Sequence, residues 1–395
     1  MKTILLSSLS YEGCYGGVEN SLRYLSKSYK RNGDDVIVLA SASSDKSFER
    51  FGDEDDVTLV RFRRNFFGNK YLNMMLFPLF ILDLVWALSL IKYKYPIDKS
   101  VCRNQFICFF VNLFFAKKNV YLAPGFSHRQ SAKENMTNEG LTLTLRRKLH
   151  MLFDYAALRL SQSVYVFSNN MLEQAQEVSS SFSSESIVQK ISLTKPGVDK
   201  SVFFPIDGKE KHSLKESLGL PHNKIVLLCV GRCVKAKGFE LALQSIVGNE
   251  QCHLVIVGDG PELDNLKALA SSLHVEQSVT FFGARSDVKN FYQASDYFFM
   301  SSTYEPLGQT ILEAISCSLP VLAFESNVMT ATKELMQERG VIYIKNTERD
   351  TMKSSIASIP TVESNDYKLL SESAFELSAL FDWDKLAQDL VADIE

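Results

Sequence analysis

The sequence predicts an α/β protein of two Rossmann-like, parallel-sheet domains, and three observations carry that prediction. Strand-like and helix-like segments alternate along the whole 395-residue chain, the order that lays parallel strands beneath crossover helices. Several strand candidates, KIVLLCVGR at 224–232 above all, are near-continuous apolar runs of the type buried on both faces. The alternation pauses at KISLTKPGVDKSVFFP, residues 190–205, where a strand runs into Pro and Gly, and then restarts. The length suffices for two cores.

In the first half, TILLSSL is the opening strand. Its apolar run is short, so a buried strand is favoured over a signal peptide. GGVENSLRYLSKSYKRNG reads as a helix, with Val18, Leu22 and Leu25 on one face and Gly33 at its C-terminal stop. DVIVLAS and VTLVRFR are the next strands, and a basic, aromatic turn, RNFFGNKY (64–71), follows. Residues 71–91 resemble a membrane span in length, which needs about 20 apolar residues. Pro78 and Asp83 stand near the middle, and a central Asp costs roughly 2.5–3.5 kcal/mol on insertion scales. A helix packed on a sheet, skimming a bilayer with its Phe and Trp, is the better reading. VYLAP (120–124) and SVYVFS (163–168) are strands, Ser168 is an N-cap candidate, and SSSFSSES (179–186) has the composition of a flexible surface loop.

In the second half, GFELALQSIV is a helix, HLVIVGDG a strand and PELDNLKALASSLH a helix. SVTFFGA is a strand, VKNFYQAS a short helix, and DYFFMSS a strand. The turn TYEPLG then leads into a helix from about Gly308 to Ser318, and LPVLAF is a further strand.

Composition sets outer bounds. Apolar residues make up 46% and charged residues 23%, with a net charge of -3, so no polyelectrolyte partner such as nucleic acid is implied. The charge is unevenly spread: residues 1–195 carry 25 Lys/Arg against 18 Asp/Glu, and residues 196–395 carry 18 against 28. A basic first half suits an anionic membrane surface or a phosphorylated substrate, though a solvated face explains it equally well. The seven cysteines show no paired CxxC spacing, which argues for a reducing cytosol.

Three stretches carry chemistry. In TYEPLGQTILEA, Glu305 sits on the loop after a parallel strand and Glu313 about one and a half turns into the next helix. That is some 7–8 Å along the axis at roughly 1.5 Å per residue. Open α/β sheets bind ligands at such carboxyl-end loops, and the free amides of a helix start form an anion site. Glutamate accepts two O–H donors at once, which suits sugar hydroxyls. In VGRCVKAKG, Arg232 and Lys237 lie on another post-strand loop and can straddle a diphosphate. In YEGCYGGVEN, Gly13, Gly16 and Gly17 precede a helix and allow backbone to approach a phosphate closely. A Gly-rich turn alone is weak evidence. The acids at 53–55 lie in the run GDEDD, where a solvated loop is far better supported than a metal site.

Together these stretches resemble the retaining family-4 glycosyltransferases with the GT-B fold, two Rossmann-like domains facing a central cleft. Glu305 and Glu313 match that family's E-x7-E motif, VGRCVKAKG its donor loop, YGGVEN its N-terminal turn and KPGVDKSVFFP its interdomain stretch. The resemblance implies an acceptor-binding domain over 1–195 and a nucleotide-sugar-binding domain over 196–370. It also implies a C-terminal helix within 371–395 that crosses back to the first domain. It implies that Gly16 and Gly17 contact the donor phosphate, and that Arg232 and Lys237 bind the diphosphate. Glu305 and the stretch Leu307, Gly308 and Gln309 would sit near the donor sugar. Glu313 would hold the ribose, and the backbone around Gly283 and Arg285 would meet the base. Two features depart from the pattern. Pro124-Gly125 stands where family members often carry His or Asp, leaving His128 as a candidate catalytic residue. ESNVMTATKEL replaces a Gly-Gly-x-x-Glu run.

The expected activity is sugar transfer from a nucleotide-sugar, UDP-sugar ahead of GDP-sugar, to a glycan or lipid-linked acceptor. It needs no metal and no separate cofactor, and it retains the anomeric configuration. The expected setting is bacterial surface polysaccharide or lipopolysaccharide assembly in the cytoplasm, peripheral to the inner membrane face. The alternatives are a sugar-nucleotide epimerase or phosphorylase on the same architecture, or a non-catalytic glycan- or nucleotide-binding relative.

Overall fold

A computed structural model describes residues 1–12, 17–42, 48–54, 56–64, 76–126, 141–182 and 185–392. The chain forms two compact units: Met1–Gly197 together with Trp383–Glu395, and Val198–Asp382.

The first unit is built on eight strands: β1 (Thr3–Ser7), β2 (Asp35–Ser41), β3 (Phe51–Glu54), β4 (Val57–Phe62), β5 (Lys99–Cys102), β6 (Asn119–Leu122), β7 (Ser163–Val166) and β8 (Ile191–Leu193). They lie in the order β3-β4-β2-β1-β5-β6-β7-β8. All neighbours run parallel except β3, which pairs antiparallel with β4 at the edge. The acidic run GDEDD, read above as a solvated loop, thus supplies Asp53 and Glu54 to an edge strand, where alternate side chains still reach water. Ile4, Leu5 and Leu6 of β1 are fully buried, as a central parallel strand requires.

The helix Gly17–Arg31 buries Leu22, Leu25 and Tyr29, while Val18 is only partly covered. It ends at Gly33, whose φ of 81° suits glycine. Helix Phe77–Lys94 packs on the sheet, and its Asp83 is ion-paired with Arg50 and accepts the Arg63 amide at 2.7 Å. No described helix is long and apolar enough to cross a membrane. Beyond Arg64, the basic turn 64–71 lies outside the described residues. Of the stretch 179–186, helix Asn169–Ser180 supplies the first two residues and a 3₁₀ helix starts at Glu185, while residues 183 and 184 lie outside the described residues. Ser168 does cap that α-helix, accepting the Met171 amide at 3.2 Å.

The tail is two helices rather than one. Asn365–Ser378 belongs to the second unit, and Trp383–Ala392 to the first. The second of them is held by a Tyr24–Trp383 stack at 5.3 Å and by Tyr29 and Tyr165, which donate to the carbonyls of Ala387 and Asp389 at 3.2 Å each. Trp383 also lies close against Gly197 of the same unit, where a Cβ would sit 2.5 Å from its ring.

The second unit holds a six-stranded, wholly parallel sheet of β9 (Ile225–Val230), β10 (Cys252–Val257), β11 (Val279–Gly283), β12 (Tyr297–Met300), β14 (Val321–Phe324) and β16 (Val341–Ile344). The order is β11-β10-β9-β12-β14-β16, so the chain winds outward from β9 in one direction, then returns to β12 on its other side. The point of reversal, between β9 and β12, is where a doubly wound sheet opens a crevice at its carboxyl ends. A small ladder of β13 (Tyr304–Glu305) and β15 (Met329–Thr330) forms beyond it.

Glycines let the post-strand loops close over this edge. A Cβ on Gly258, at φ +149°, would lie 1.8 Å from the Gly231 carbonyl oxygen, and one on Gly238, at φ +59°, would lie 2.1 Å from that of Ser301. Gly258→Ala therefore forces backbone apart, and we expect it to cost about 3 kcal/mol or more in urea unfolding of the chain. A loss under about 1 kcal/mol contradicts this packing.

Candidate active site

The site grows from two loops that flank the β9/β12 reversal. After β9, Gly231 and Arg232 lead into a 3₁₀ turn, Lys235–Lys237, and then into helix Phe239–Ser245. After β12, the chain passes Ser301 and Thr303 into β13, then Pro306, Leu307 and Gly308, to helix Gln309–Ser316. The loops are stitched together: the Thr303 amide donates to the Ala236 carbonyl at 2.9 Å, and the Ser301 hydroxyl to the Lys237 carbonyl at 2.9 Å. Gly231 clears a path for the Lys237 side chain, because a Cβ there would meet Lys237 Cε at 3.0 Å.

Three of the residues singled out in the sequence consequently converge. Lys237 Nζ is ion-paired with Glu305 Oε2. The other oxygen of Glu305 accepts the Gly308 amide at 3.2 Å, at the start of helix Gln309–Ser316. Glu313, further along that helix, accepts the Tyr292 hydroxyl at 2.8 Å on Oε2. Burial pushes the Glu313 carboxyl up to about 7, with the Tyr292 hydrogen bond and the Lys237 charge pulling the other way. Lys237 thus acts electrostatically on both glutamates.

The remaining positions are arranged around this centre. Arg232 is exposed on the same loop as Lys237. Gly308, with φ 74°, is the N-cap of the Glu313 helix, and Leu307 is buried beside it. Gln309 opens the helix. Gly283 ends β11 with φ 66°. Arg285 lies two residues on and is exposed, held by Asp287 through two hydrogen bonds of 2.8 Å. Those bonds pull the Asp287 carboxyl down to about 2. Gly17 is the first residue of its helix, in the first unit. Gly16 and His128 lie outside the described residues. Among the described residues, no group of three or more His, Cys, Asp or Glu side chains gathers as a metal site.

Two residues were not read from the sequence. Tyr292 sits in VKNFYQAS as one apolar-looking position among several, and only its hydrogen bond to Glu313 marks it. Arg103 follows β5 in the first unit and is 1% exposed, with its Nη1 donating to Ser21 Oγ at 2.8 Å and its guanidinium over the Phe167 ring. Burial lowers it to about 10. Its segment, KSVCRNQFIC, mixes polar and apolar residues without a clear period.

Residues 210–372 match the family model for glycosyl transferases group 1. Over 112 residues the chain is 38% identical to the lipopolysaccharide core biosynthesis glycosyltransferase LpsE of Rhizobium meliloti, covering 28% of this chain and 33% of that protein. Over 146 residues it is 35% identical to the UDP-Gal:alpha-D-GlcNAc-diphosphoundecaprenol alpha-1,3-galactosyltransferase of Escherichia coli, covering 35% and 37%. The chain spans between a third and half the length of the first curated relatives it matches. Among solved structures, sucrose-phosphate synthase from Thermosynechococcus elongatus superposes with a TM-score of 0.80 at 17% identity, covering 98% of this chain and 97% of that one. HepE of Anabaena, in complex with UDP and glucose, superposes with a TM-score of 0.76 at 17% identity, covering 99% of each. The fold is therefore GT-B: two parallel-sheet α/β domains in one chain.

Glu313 also couples the site to stability. Its folded value of about 7 lies above the ordinary 4.5, so its contribution is fully present below pH 4.5 and is lost as pH rises through 7. Glu313→Gln removes the titration. We expect the variant to gain on the wild type by up to about 3 kcal/mol between pH 5 and pH 8.5. Thermal unfolding at both pH values measures it, and parallel curves for the two proteins would show that Glu313 is not desolvated.

Proposed function

We propose that this protein is a retaining glycosyltransferase that moves a sugar from a nucleotide-sugar onto a glycan or lipid-linked saccharide, in assembly of bacterial surface polysaccharide or lipopolysaccharide. The observation that carries the reading is the Lys237–Glu305 ion pair set against a desolvated Glu313 at the β9/β12 reversal. Arg232 and Lys237 bind the diphosphate and offset the charge that grows as it leaves. Glu305 holds Lys237 in place, and on donor binding the sugar hydroxyls and phosphate share that pair. The amides at the start of helix Gln309–Ser316 add partial positive charge beside the donor. Glu313, oriented by Tyr292, accepts from the ribose hydroxyls, and the backbone at Gly283 to Arg285 meets the base. Gly16 and Gly17 contribute phosphate contacts from the first unit, and His128 is the candidate to reach acceptor or donor sugar.

The donor is proposed to be a UDP-sugar, a choice supported by the UDP and glucose in the HepE complex. The glycosyltransferase model over 210–372 and the polysaccharide-building relatives support transfer over epimerisation, phosphorolysis or a non-catalytic role. Reaction without a metal or a separate cofactor, with the leaving phosphate taking the acceptor proton, completes the proposal. So does a cytoplasmic location with peripheral contact at the inner membrane face.

A panel of nucleotide-sugars, scored by thermal stabilisation and by nucleotide release with glycan and lipid-linked acceptors, tests this directly. We expect Arg232→Ala and Lys237→Ala each to lower transfer by about a hundredfold or more, as removal of a transition-state charge clamp does. A rate within a few-fold of wild type removes the diphosphate role. Because a carboxylate accepts from a diol better than a carboxylic acid does, donor binding should tighten as pH rises through about 7. Tyr292→Phe deletes a hydrogen bond that favours the carboxylate, so the rise should move to higher pH. Isothermal titration from pH 5.5 to 8.5 that finds no such displacement would separate Glu313 from the ribose.

A further inference from the structure

Helix Phe77–Lys94 is apolar around most of its circumference yet lies at the surface of the first unit. One side, including Leu84, Leu88 and Ile91, is fully buried against the unit. On the other, Leu79, Leu82 and Trp86 are 45%, 63% and 58% exposed. Their spacing of three and four residues makes one continuous stripe, where a surface helix ordinarily carries charge. The stripe is not isolated. Phe106 packs on Phe80 at 5.5 Å and on Phe153 at 4.9 Å, which sets helices Gln105–Phe115 and Leu141–Leu160 alongside. These add Leu113, Leu149 and Leu152, 61%, 50% and 48% exposed.

The charge on this face is one-sided. The three helices contain only two acids, Asp83 and Asp154. Asp83 is ion-paired with Arg50, and Asp154 is fully buried. Lys92, Lys94, Lys148 and Arg159 are exposed. A symmetric self-association through this face would set cations against cations. Apolar side chains with a cationic rim and no exposed carboxylate on the three helices themselves, the exposed Asp98 lying just beyond Lys92 at their edge, instead complement an anionic lipid surface, where the apolar groups enter the acyl boundary and the cations meet phosphates.

We infer that the face formed by these three helices docks on an anionic phospholipid bilayer, lying in the interface without spanning it. The inference gives the peripheral contact in the sugar-transfer reading a specific surface, and it is tested independently of transfer.

The full chain is sedimented with vesicles of phosphatidylcholine, with and without about a third phosphatidylglycerol. We expect binding to the anionic vesicles, with Trp86 fluorescence quenched by brominated acyl chains. Partition should fall by about tenfold or more in Leu82→Asp/Trp86→Asp, in Lys92→Glu/Lys94→Glu, and on pure phosphatidylcholine. Unfolding midpoints and nucleotide-sugar stabilisation should stay at wild-type values in both variants. Equal partition of the variants, or no binding by the wild type, overturns the inference. So does a wild-type dimer in sedimentation velocity that Leu82→Asp/Trp86→Asp converts to monomer, since the face would then be a protein interface. Loss of nucleotide-sugar stabilisation in the wild type would instead strike at the transfer reading and leave the lipid result standing.

Discussion

The close approach of backbone to backbone at the carboxyl edge of the second sheet is the constraint on which the site depends. Gly258 lies where any side chain would strike the Gly231 carbonyl, and Gly238 where one would strike that of Ser301. The first contact seats the loop after β10 on the loop after β9, and the second seats the loop after β9 on the loop after β12, where the Thr303 and Ser301 hydrogen bonds fix it. A Cβ at Gly238 would push the β9 and β12 loops apart, the two loops that carry Lys237 and Glu305. The charge arrangement is thus a consequence of backbone packing, and the side chains read out a geometry that glycine makes available.

Two glutamates on one short segment have different surroundings. Glu305 has a cation on one oxygen and a helix-start amide on the other. Glu313 has a neutral hydroxyl beside it, and burial pushes its carboxyl up to about 7. A carboxyl held there costs the protein some stability at high pH, where folding alone would favour a neutral or apolar residue. The proposed ribose contact would supply the donors that offset this cost.

Much of this was legible in the sequence, for a physical reason. Buried parallel strands read as apolar runs, so KIVLLCVGR and HLVIVGDG announce β9 and β10, and post-strand loops follow by position. Glu305 and Lys237 could be placed on such loops, and Glu313 in the helix that follows, from their positions in the sequence. Two strands that carry charge could not be read this way, although four-residue apolar ones such as β6, β7 and β14 could. β5 is four residues with a buried lysine, and β3 is an acidic edge strand. Tyr292 was hidden because a buried tyrosine and a core phenylalanine look alike until the hydroxyl's partner is known. Residues 371–395 were read as one helix, whereas helix Asn365–Ser378 ends within them and a new one starts at Trp383, which stacks on Tyr24 of its own unit.

Net charge was the coarsest guide, and the structure shows why. The second half of the chain carries ten more acids than bases, yet Arg232, Lys235 and Lys237 fall within six residues on the loop where an anion is proposed to bind. At an ionic strength of about 0.15 M the Debye length is roughly 8 Å, so a ligand at that loop feels those cations and little of the distant carboxylates. The same argument applies to the helical face of the first unit. A bilayer is an extended plane, so what it meets is set by which charges are exposed along the contact. On its helices the two acids are internally neutralised or buried, while the lysines are exposed at the rim. Both proposals therefore rest on charge resolved over about a nanometre, a scale on which a net charge of -3 carries no information.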